Sequence, residues 1–497
     1  MRKIKISIIL LTLSTIIFSG CLKKDYLDVN TDPNRANDNN ITPELLFPQA
    51  ANAAGTLLKP SGSNYASFLY NWVGYYSTPG DYALPGSQTT YELTAPYTEA
   101  LWNNYYNTLF DLFLVQQKAL AKGDSVLAGA AMVLSAKAWQ ELVDMFGNIP
   151  FSEAFQNSTT RTPKYDKDAD IYAALQKMLD DAISNLKHSP HSSFNSIDIV
   201  NHGSTSLWIK FANTIKLRLL IHQSEVQGLN PSGEIAKITA NGGVVHESDI
   251  SVNPGYSNDA GKQNPYYGSW GFTPTGADAI PSERANAYIV NILQSTSDPR
   301  LTSFFSPVGS TVVGVVYGLT NGNPFGAQSS KPGPGLLKTP TADLWIMPAF
   351  ESMFLEAEAI ARGWIPGDPK TAYENAVRES FVWLGVPDAI NTANAYLSGT
   401  AIADWANAGS TPQSMAKFIA YQKYIALTGI DPLEAWVDIR RLNMLPNNGY
   451  ISANPAKVST HLPYRLPYPQ SEYNSNTSSV QAQGSNDILT HKIFWQP

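Results

Sequence analysis

Seven stretches of this chain repeat apolar residues every three to four positions, and three long stretches between them repeat nothing. The periodic windows cover 99–122, 125–146, 168–187, 205–223, 345–363, 371–384 and 414–428. Each is long enough for a packed helix, and several are separated only by short turns. Asp368 followed by Pro369 reads as an N-cap with proline at the first helical position. The expected architecture is all-α dominated, a solenoid-like scaffold of stacked helix pairs. Small residues such as Ala128, Ala131, Ala136 and Ala138 allow close helix approach. The unperiodic stretches, 60–96, 230–281 and 305–340, are rich in Gly, Pro, Asn, Tyr and Ser. Long irregular segments of this kind carry function more often than they fill space. Within them, 311–317 and 243–245 read as short strands.

The first twenty residues are an address. Arg2, Lys3 and Lys5 precede an apolar run at 6–18, which is too short to cross a bilayer. The run ends in Phe18-Ser19-Gly20-Cys21, and Cys21 is the single cysteine of the chain. That spacing is expected of a bacterial lipoprotein processing site, with Cys21 as the lipidated residue. Cleavage would remove three basic residues and move the formal charge from −7 to −10. Residues 21–45 then read as a lipidated tether and entry segment, and 46–497 as a single body with loop insertions. No later stretch is continuously apolar over membrane-spanning length, so the expected membrane contact is through the lipid alone.

One cysteine excludes a disulfide framework, a cysteine-based zinc module and an iron–sulfur centre. Charged residues make up only 15% of the chain and their balance is acidic, which argues against nucleic acid as a partner. Uncharged amides and hydroxyls beside many aromatic rings suit a neutral ligand, such as a sugar or a peptide backbone. The rings cluster. Between Tyr65 and Tyr106 lie nine Tyr, two Trp and one Phe, against three charged residues. A sugar presents an apolar C–H face to a Trp or Tyr ring and hydroxyls to polar neighbours, and such rings are rigid platforms. Trp72, Tyr75, Tyr82 and Tyr91 are the candidate ligand platforms here, while Tyr105 and Tyr106 fall within a helical window and are expected to pack. A second cluster, 264–272, places Tyr267 and Trp270 on a glycine-rich loop as further candidates. Replacing Trp72 or Trp270 by Ala is therefore expected to weaken ligand binding and to leave stability nearly unchanged.

Enzyme signatures are absent: no HExxH, GxSxG, P-loop or dinucleotide fingerprint occurs. His188 and His191 have ligand-like spacing but no partners, so neither a metal nor a cofactor is expected. A glycosidase needs a paired set of carboxylates, which sequence alone neither places nor excludes. Glu358 and Arg362 are four apart and read as a helix pair. Glu434, Asp438, Arg440 and Arg441 read as a structural ion-pair network around Trp436.

Several segments, in order, resemble one family. Cys21-Leu22-Lys23-Lys24-Asp25-Tyr26-Leu27-Asp28 resembles its post-processing segment. Ala136-x-x-Trp139-x-x-Leu142-Val143-Asp144-x-Phe146-Gly147-x-Ile149-Pro150-Phe151 resembles its first helix-pair signature, and Phe350-x-x-x-Phe354-Leu355-x-Ala357-Glu358-Ala359-x-x-Arg362-Gly363 its central one. Gln422-Lys423-Tyr424-Ile425-Ala426-Leu427 is followed by Glu434-Ala435-Trp436-x-Asp438-x-Arg440-Arg441, then by Arg465-Leu466-Pro467-Tyr468-Pro469-x-x-Glu472-x-x-x-Asn476. Together they resemble the SusD/RagB family of Bacteroidetes outer-membrane nutrient-binding lipoproteins. The resemblance implies a tetratricopeptide-like scaffold with a variable loop-rich half. It implies a SusC/RagA-type TonB-dependent transporter as partner, over which the lipoprotein acts as a hinged lid. It implies binding without cleavage, with Trp139, Glu358, Arg362, Glu434, Trp436, Asp438, Arg440, Arg465 and Tyr468 as scaffold residues. The reading that follows is a non-catalytic, surface-exposed lipoprotein of the outer membrane that captures oligosaccharide. An oligopeptide cargo, a lipid-anchored glycoside hydrolase and a purely structural subunit are the alternatives.

Overall fold

The computed structural model describes residues 41–62, 65–156 and 159–497. Cys21, the signal segment and most of the tether lie outside the described residues. Within them, helices dominate and strands are few and short.

The first described helix is α1 (Pro43–Thr56), which begins inside the segment expected to be tether. Proline at a first helical position costs nothing, because that N–H has no intrahelical partner. α1 buries Leu46, Phe47, Ala50, Ala51 and Ala54. A short helix, α2 (Phe68–Trp72), follows. Then come α3 (Glu99–Ala121) and α4 (Ser125–Phe146), joined by a short turn. The Asp124 carboxylate caps α4 by accepting from the Leu127 N–H at 3.1 Å. Every residue of α4 after Ser125 is buried, so this long apolar helix is the spine of the body. α5 (Asp168–Leu186) crosses it at Gly129, where a Cβ would lie 2.9 Å from the Ala182 carbonyl oxygen. α6 (Thr205–His222) and α7 (Ser232–Ala240) complete the N-terminal part of the scaffold.

The second scaffold block starts after α8 (Ala287–Ser295). It contains α9 (Ala349–Ala361), α10 (Pro369–Trp383), α11 (Ala389–Gly399), α12 (Pro412–Ala426) and α13 (Pro432–Leu442). α3 packs on α4, α5 on α6, α9 on α10 and α12 on α13. α6 against α9 joins the two blocks. This is the expected scaffold of helix pairs. Asp368 caps α10 as expected, accepting from the Thr371 N–H at 3.0 Å.

The window 345–363 is corrected at its start. Leu344–Met347 is a strand, β4, fully buried and paired antiparallel with β2 (Ile250–Val252). Pro348 then separates strand from helix. α1 lies on this ribbon, and a Cβ on Gly55 would lie 2.6 Å from Val252. A second ribbon pairs β1 (Tyr76–Ser77) with β3 (Arg284–Ala285). Residues 311–317 and 243–245, expected as strands, form no named strand, although Val315 and Thr311 make isolated bridges.

Candidate functional site

Loops without periodic hydrogen bonding must satisfy their backbone groups with side chains. In this molecule the rings do so. Trp72 Nε1 donates to the Gln88 carbonyl at 3.1 Å, Tyr75 Oη to the Tyr424 carbonyl at 2.6 Å, and Trp270 Nε1 to the Lys59 carbonyl at 2.7 Å. The Tyr91 hydroxyl accepts from the Ser452 N–H at 2.8 Å. All four rings are buried. Trp72 meets Trp436 edge-on at 5.7 Å, which ties the loop half to α13. Trp270 stacks on Tyr76 at 4.8 Å. The expectation that Trp72, Tyr75, Tyr91 and Trp270 stand out as platforms is therefore corrected: they are core rings whose polar edges bond backbone groups of other segments. Tyr105 is buried as expected, and its hydroxyl donates to Glu141 at 3.0 Å. Tyr267 is half-buried and packs on Phe272 at 6.0 Å.

Tyr82 differs. Its side chain is 39% exposed, and it shares its surface with Phe325, which is 55% exposed and was not singled out from sequence. Two loops leave the β1–β3 ribbon side by side. Gly80 N–H donates to the Pro324 carbonyl at 2.9 Å, and Gly326 N–H donates to Asp81 Oδ1 at 2.8 Å. Arg284 Nε, from β3, donates to the Gly326 carbonyl at 3.0 Å. Gly80 has no room for a side chain, because a Cβ would lie 2.4 Å from the Asn323 carbonyl oxygen. Asp278 pairs with Arg284 at 3.3 Å and with Lys331 at 2.8 Å, and Lys331 caps the Phe272 ring at 4.5 Å. The two exposed rings are thus carried on loops clipped together, with fixed charge beside them. Phe325 escaped notice because no aromatic run surrounds it; the clip that fixes it is visible only in the fold.

Beside this pair lies a trough. One cleft of about 440 Å³ opens between α8, Tyr421 of α12 and the 446–449 loop. A second, about 600 Å³, continues past Ser295, Thr296 and Ile402 toward the end of α11. Val316, at the edge of the first cleft, exchanges two 2.9 Å hydrogen bonds with Asn323, two residues before Phe325. Trough and ring pair therefore adjoin.

The charges are elsewhere. Lys423 joins Glu434 at 2.7 Å to Asp438 at 2.9 Å, and Arg441 joins Asp438 at 2.7 Å to Glu358 at 2.6 Å. Arg362 continues to Glu358 and Glu225, each at 2.8 Å. Burial opposes the charge on Glu358, but Arg441 and Arg362 outweigh it and hold its carboxyl down to about 2. Burial is likewise outweighed at Glu434, where Lys423, His222 and Arg218 hold the carboxyl well below its usual range. The network expected around Trp436 is present with one correction: Arg440 donates to the carbonyls of Tyr464, Asp144 and Trp436, and its guanidinium lies 3.6 Å over the Trp436 ring. Trp139 packs edge-on with Phe151 at 5.1 Å, and Arg465 lies 4.6 Å over Tyr468. These residues build the scaffold and face no cleft near the ring pair.

Burial pushes Glu283 up to about 7, against smaller opposing effects of the Asn71 amide and Arg284. It faces Asn71 at 3.4 Å. No cluster of His, Cys, Asp and Glu suited to a metal occurs among the described residues.

A family described as starch-binding and associating with the outer membrane matches residues 34–469. Solved structures agree in fold. A chitin-binding SusD homologue from Flavobacterium johnsoniae is 22% identical, with a TM-score of 0.74 over 90% of this chain and 98% of that one. A SusD homologue from Bacteroides uniformis is 23% identical, with a TM-score of 0.73 over 91% and 99%. Another from Bacteroides fragilis is 21% identical, with a TM-score of 0.71 over 92% and 99%. No curated protein matches the chain. The match over most of the length, on a scaffold of helix pairs with the family's motifs at its centre, means that this chain belongs to the SusD-like family.

Proposed function

We propose that this protein is a non-catalytic, glycan-binding lipoprotein, anchored through Cys21 to the outer membrane. It captures oligosaccharide for a partner SusC/RagA-type TonB-dependent transporter and faces the cell exterior. The observation that carries the binding reading is the exposed pair Tyr82 and Phe325, held by the Gly80, Asp81 and Arg284 clip on a body of a starch-binding family. Two rings on clipped loops offer the rigid apolar surface that a sugar face stacks on. Tyr267 and Phe272 extend the same loop region. The chitin-binding relative supports a carbohydrate cargo over a peptide one.

Three experiments test this reading. The mature protein is applied to insoluble chitin and starch; retention is expected on at least one, and retention on neither contradicts glycan capture. Cys21→Ala is expected to move the protein from the membrane fraction to the soluble one, and continued membrane association contradicts the anchor. Purification from detergent-solubilised outer membrane is expected to carry a TonB-dependent transporter with it; recovery without one contradicts the partnership.

A further inference from the structure

The trough between α8, α11 and α12 is built without charge. None of the described residues lining either of its clefts is Asp, Glu, Lys, Arg or His. The charges beneath it are closed on themselves: Arg300 pairs with Asp298 at 2.6 Å, and both side chains are fully buried. The Arg300 guanidinium lies 5.2 Å over the Tyr396 ring, whose body forms part of the trough lining. A ligand in the trough would meet neither member of that pair.

What the trough does offer is neutral and unspent. The Tyr421 hydroxyl and the Asn291 amide make no hydrogen bond with any described residue, although both line the first cleft. Asn447 accepts from the Gly449 N–H at 2.9 Å and keeps its amide hydrogens free. Its backbone is held in the left-handed region, at φ 50°, which fixes the rim on that side. An apolar wall is formed by Tyr288 and Ile292 of α8, the helix that also carries Asn291, together with Ile402. Tyr288 is anchored by its hydroxyl to the Pro446 carbonyl at 2.9 Å, so the wall and the rim are tied together.

Given the glycan-binding reading above, on which this step rests, we infer that the trough is a binding site for an uncharged oligosaccharide and selects against anionic ones. An apolar wall takes the C–H face of a sugar ring. Free amides and a free phenol take its hydroxyls, in both donor and acceptor senses. A uronate or sulfate would lose its water and find no cation in return. Because the trough leads to Val316, and Val316 is bound to the Asn323 segment, a chain of several sugars would run on toward Phe325 and Tyr82.

The test is calorimetric titration of the mature protein with chitohexaose, maltohexaose, cellohexaose and hexagalacturonate. Wild type is compared with Asn291→Ala, Asn447→Ala and Tyr421→Phe. Asn291→Ala and Tyr421→Phe each remove one free polar group, whereas Asn447→Ala also removes the bond to Gly449 and puts Ala at a left-handed backbone position, and thermal melting checks that each variant folds as wild type does. At least one neutral hexamer is expected to bind, with each substitution weakening it about three- to tenfold. Affinity for it is expected to change less than about twofold between low and high salt, since no ion pair is screened. Hexagalacturonate binding as tightly as the best neutral hexamer overturns the inference. So does neutral binding that all three variants leave unchanged, which would place the ligand elsewhere and leave glycan capture standing. Binding of no hexamer by wild type, together with no retention on chitin or starch, overturns both.

Discussion

Where α6, α9, α12 and α13 meet, the interior is a relay of charged side chains; where the loops around residue 270 meet, it is a stack of rings. In the first region, Asp144, His222, Glu434, Lys423, Asp438, Arg441, Glu358 and Arg362 follow one another in alternating sign, all at ion-pair distance and all out of contact with water or nearly so. In the second, Tyr70 and Tyr76 each lie 4.8 Å from Trp270, and Tyr266 lies 4.7 Å from Trp345. Helices satisfy their own backbone, so their side chains are free to pair with one another. Loops do not, and a buried ring can serve them twice, by covering apolar area and by bonding a stray carbonyl as Trp270 does at Lys59, while Tyr76 and Tyr266 bond each other at 2.8 Å. Part of the aromatic excess of this chain thus serves its loops. The proposed ligand surface is the remainder: exposed rings such as Tyr82 and Phe325.

The comparison can be broken most forcefully in the relay. Arg441→Ala leaves Glu358 and Asp438 buried without their shared cation, and a loss of about 3–5 kcal/mol is expected in denaturant unfolding. The relay also has a pH signature. Glu358 is held down to about 2, so its contribution is complete above its ordinary value near 4.5 and is lost as pH falls from there toward 2. A melting temperature flat from pH 5 to pH 2 would contradict that.

Next in size are the core rings. Trp270→Ala or Trp72→Ala is expected to cost about 3–5 kcal/mol, by opening a cavity and freeing a loop carbonyl. A variant that melts like wild type but binds glycan poorly would return these rings to the surface and erase the distinction between the two regions.

A smaller effect tests Lys59, a cation buried over the Trp345 ring at 5.4 Å. Lys59 is buried with only the Ile430 carbonyl at 3.1 Å, and burial pushes its amine down to about 8, against a weaker pull from Asp431. Between pH 8 and about 10.4 the unfolded chain holds a proton at Lys59 that the folded protein has released, so stability is expected to rise with pH in that window. Lys59→Met should remove the rise and stabilise the protein at pH 7 by about 1–3 kcal/mol. A destabilised variant would show that Lys59 has a charged partner after all.

How much of this was readable from residues follows the same division. The windows 99–122, 125–146, 168–187 and 205–223 match α3 to α6 to within a residue or so, because helix periodicity is local. Asp368-Pro369 correctly marked α10, yet the same signal at Asp431-Pro432 went unread, and α13 was seen only as a set of charges. Residues 345–347 carry the apolar pattern of a helix and form β4, since pairing with Ile250–Val252 depends on a partner nearly a hundred residues away. The candidate rings fared worst. Burial of Tyr75, Tyr91 and Trp270 goes with backbone groups of distant segments, the Tyr424 carbonyl, the Ser452 N–H and the Lys59 carbonyl, and exposure of Phe325 goes with a clip to Gly80 and Asp81. Neither leaves a trace in local spacing.

The smallest expected change in stability accompanies the change in function that matters most. In the double variant Tyr82→Ala/Phe325→Ala, both rings are exposed and neither is expected to contribute more than about 0.5 kcal/mol to folding. Titration of this variant and wild type with the glycan that wild type retains, alongside their melting curves, is the most direct test that ligand surface lies in the outward rings and not in the buried ones. The expected result is binding weakened about tenfold or more at an unchanged melting temperature. Unchanged affinity in the double variant would contradict the account.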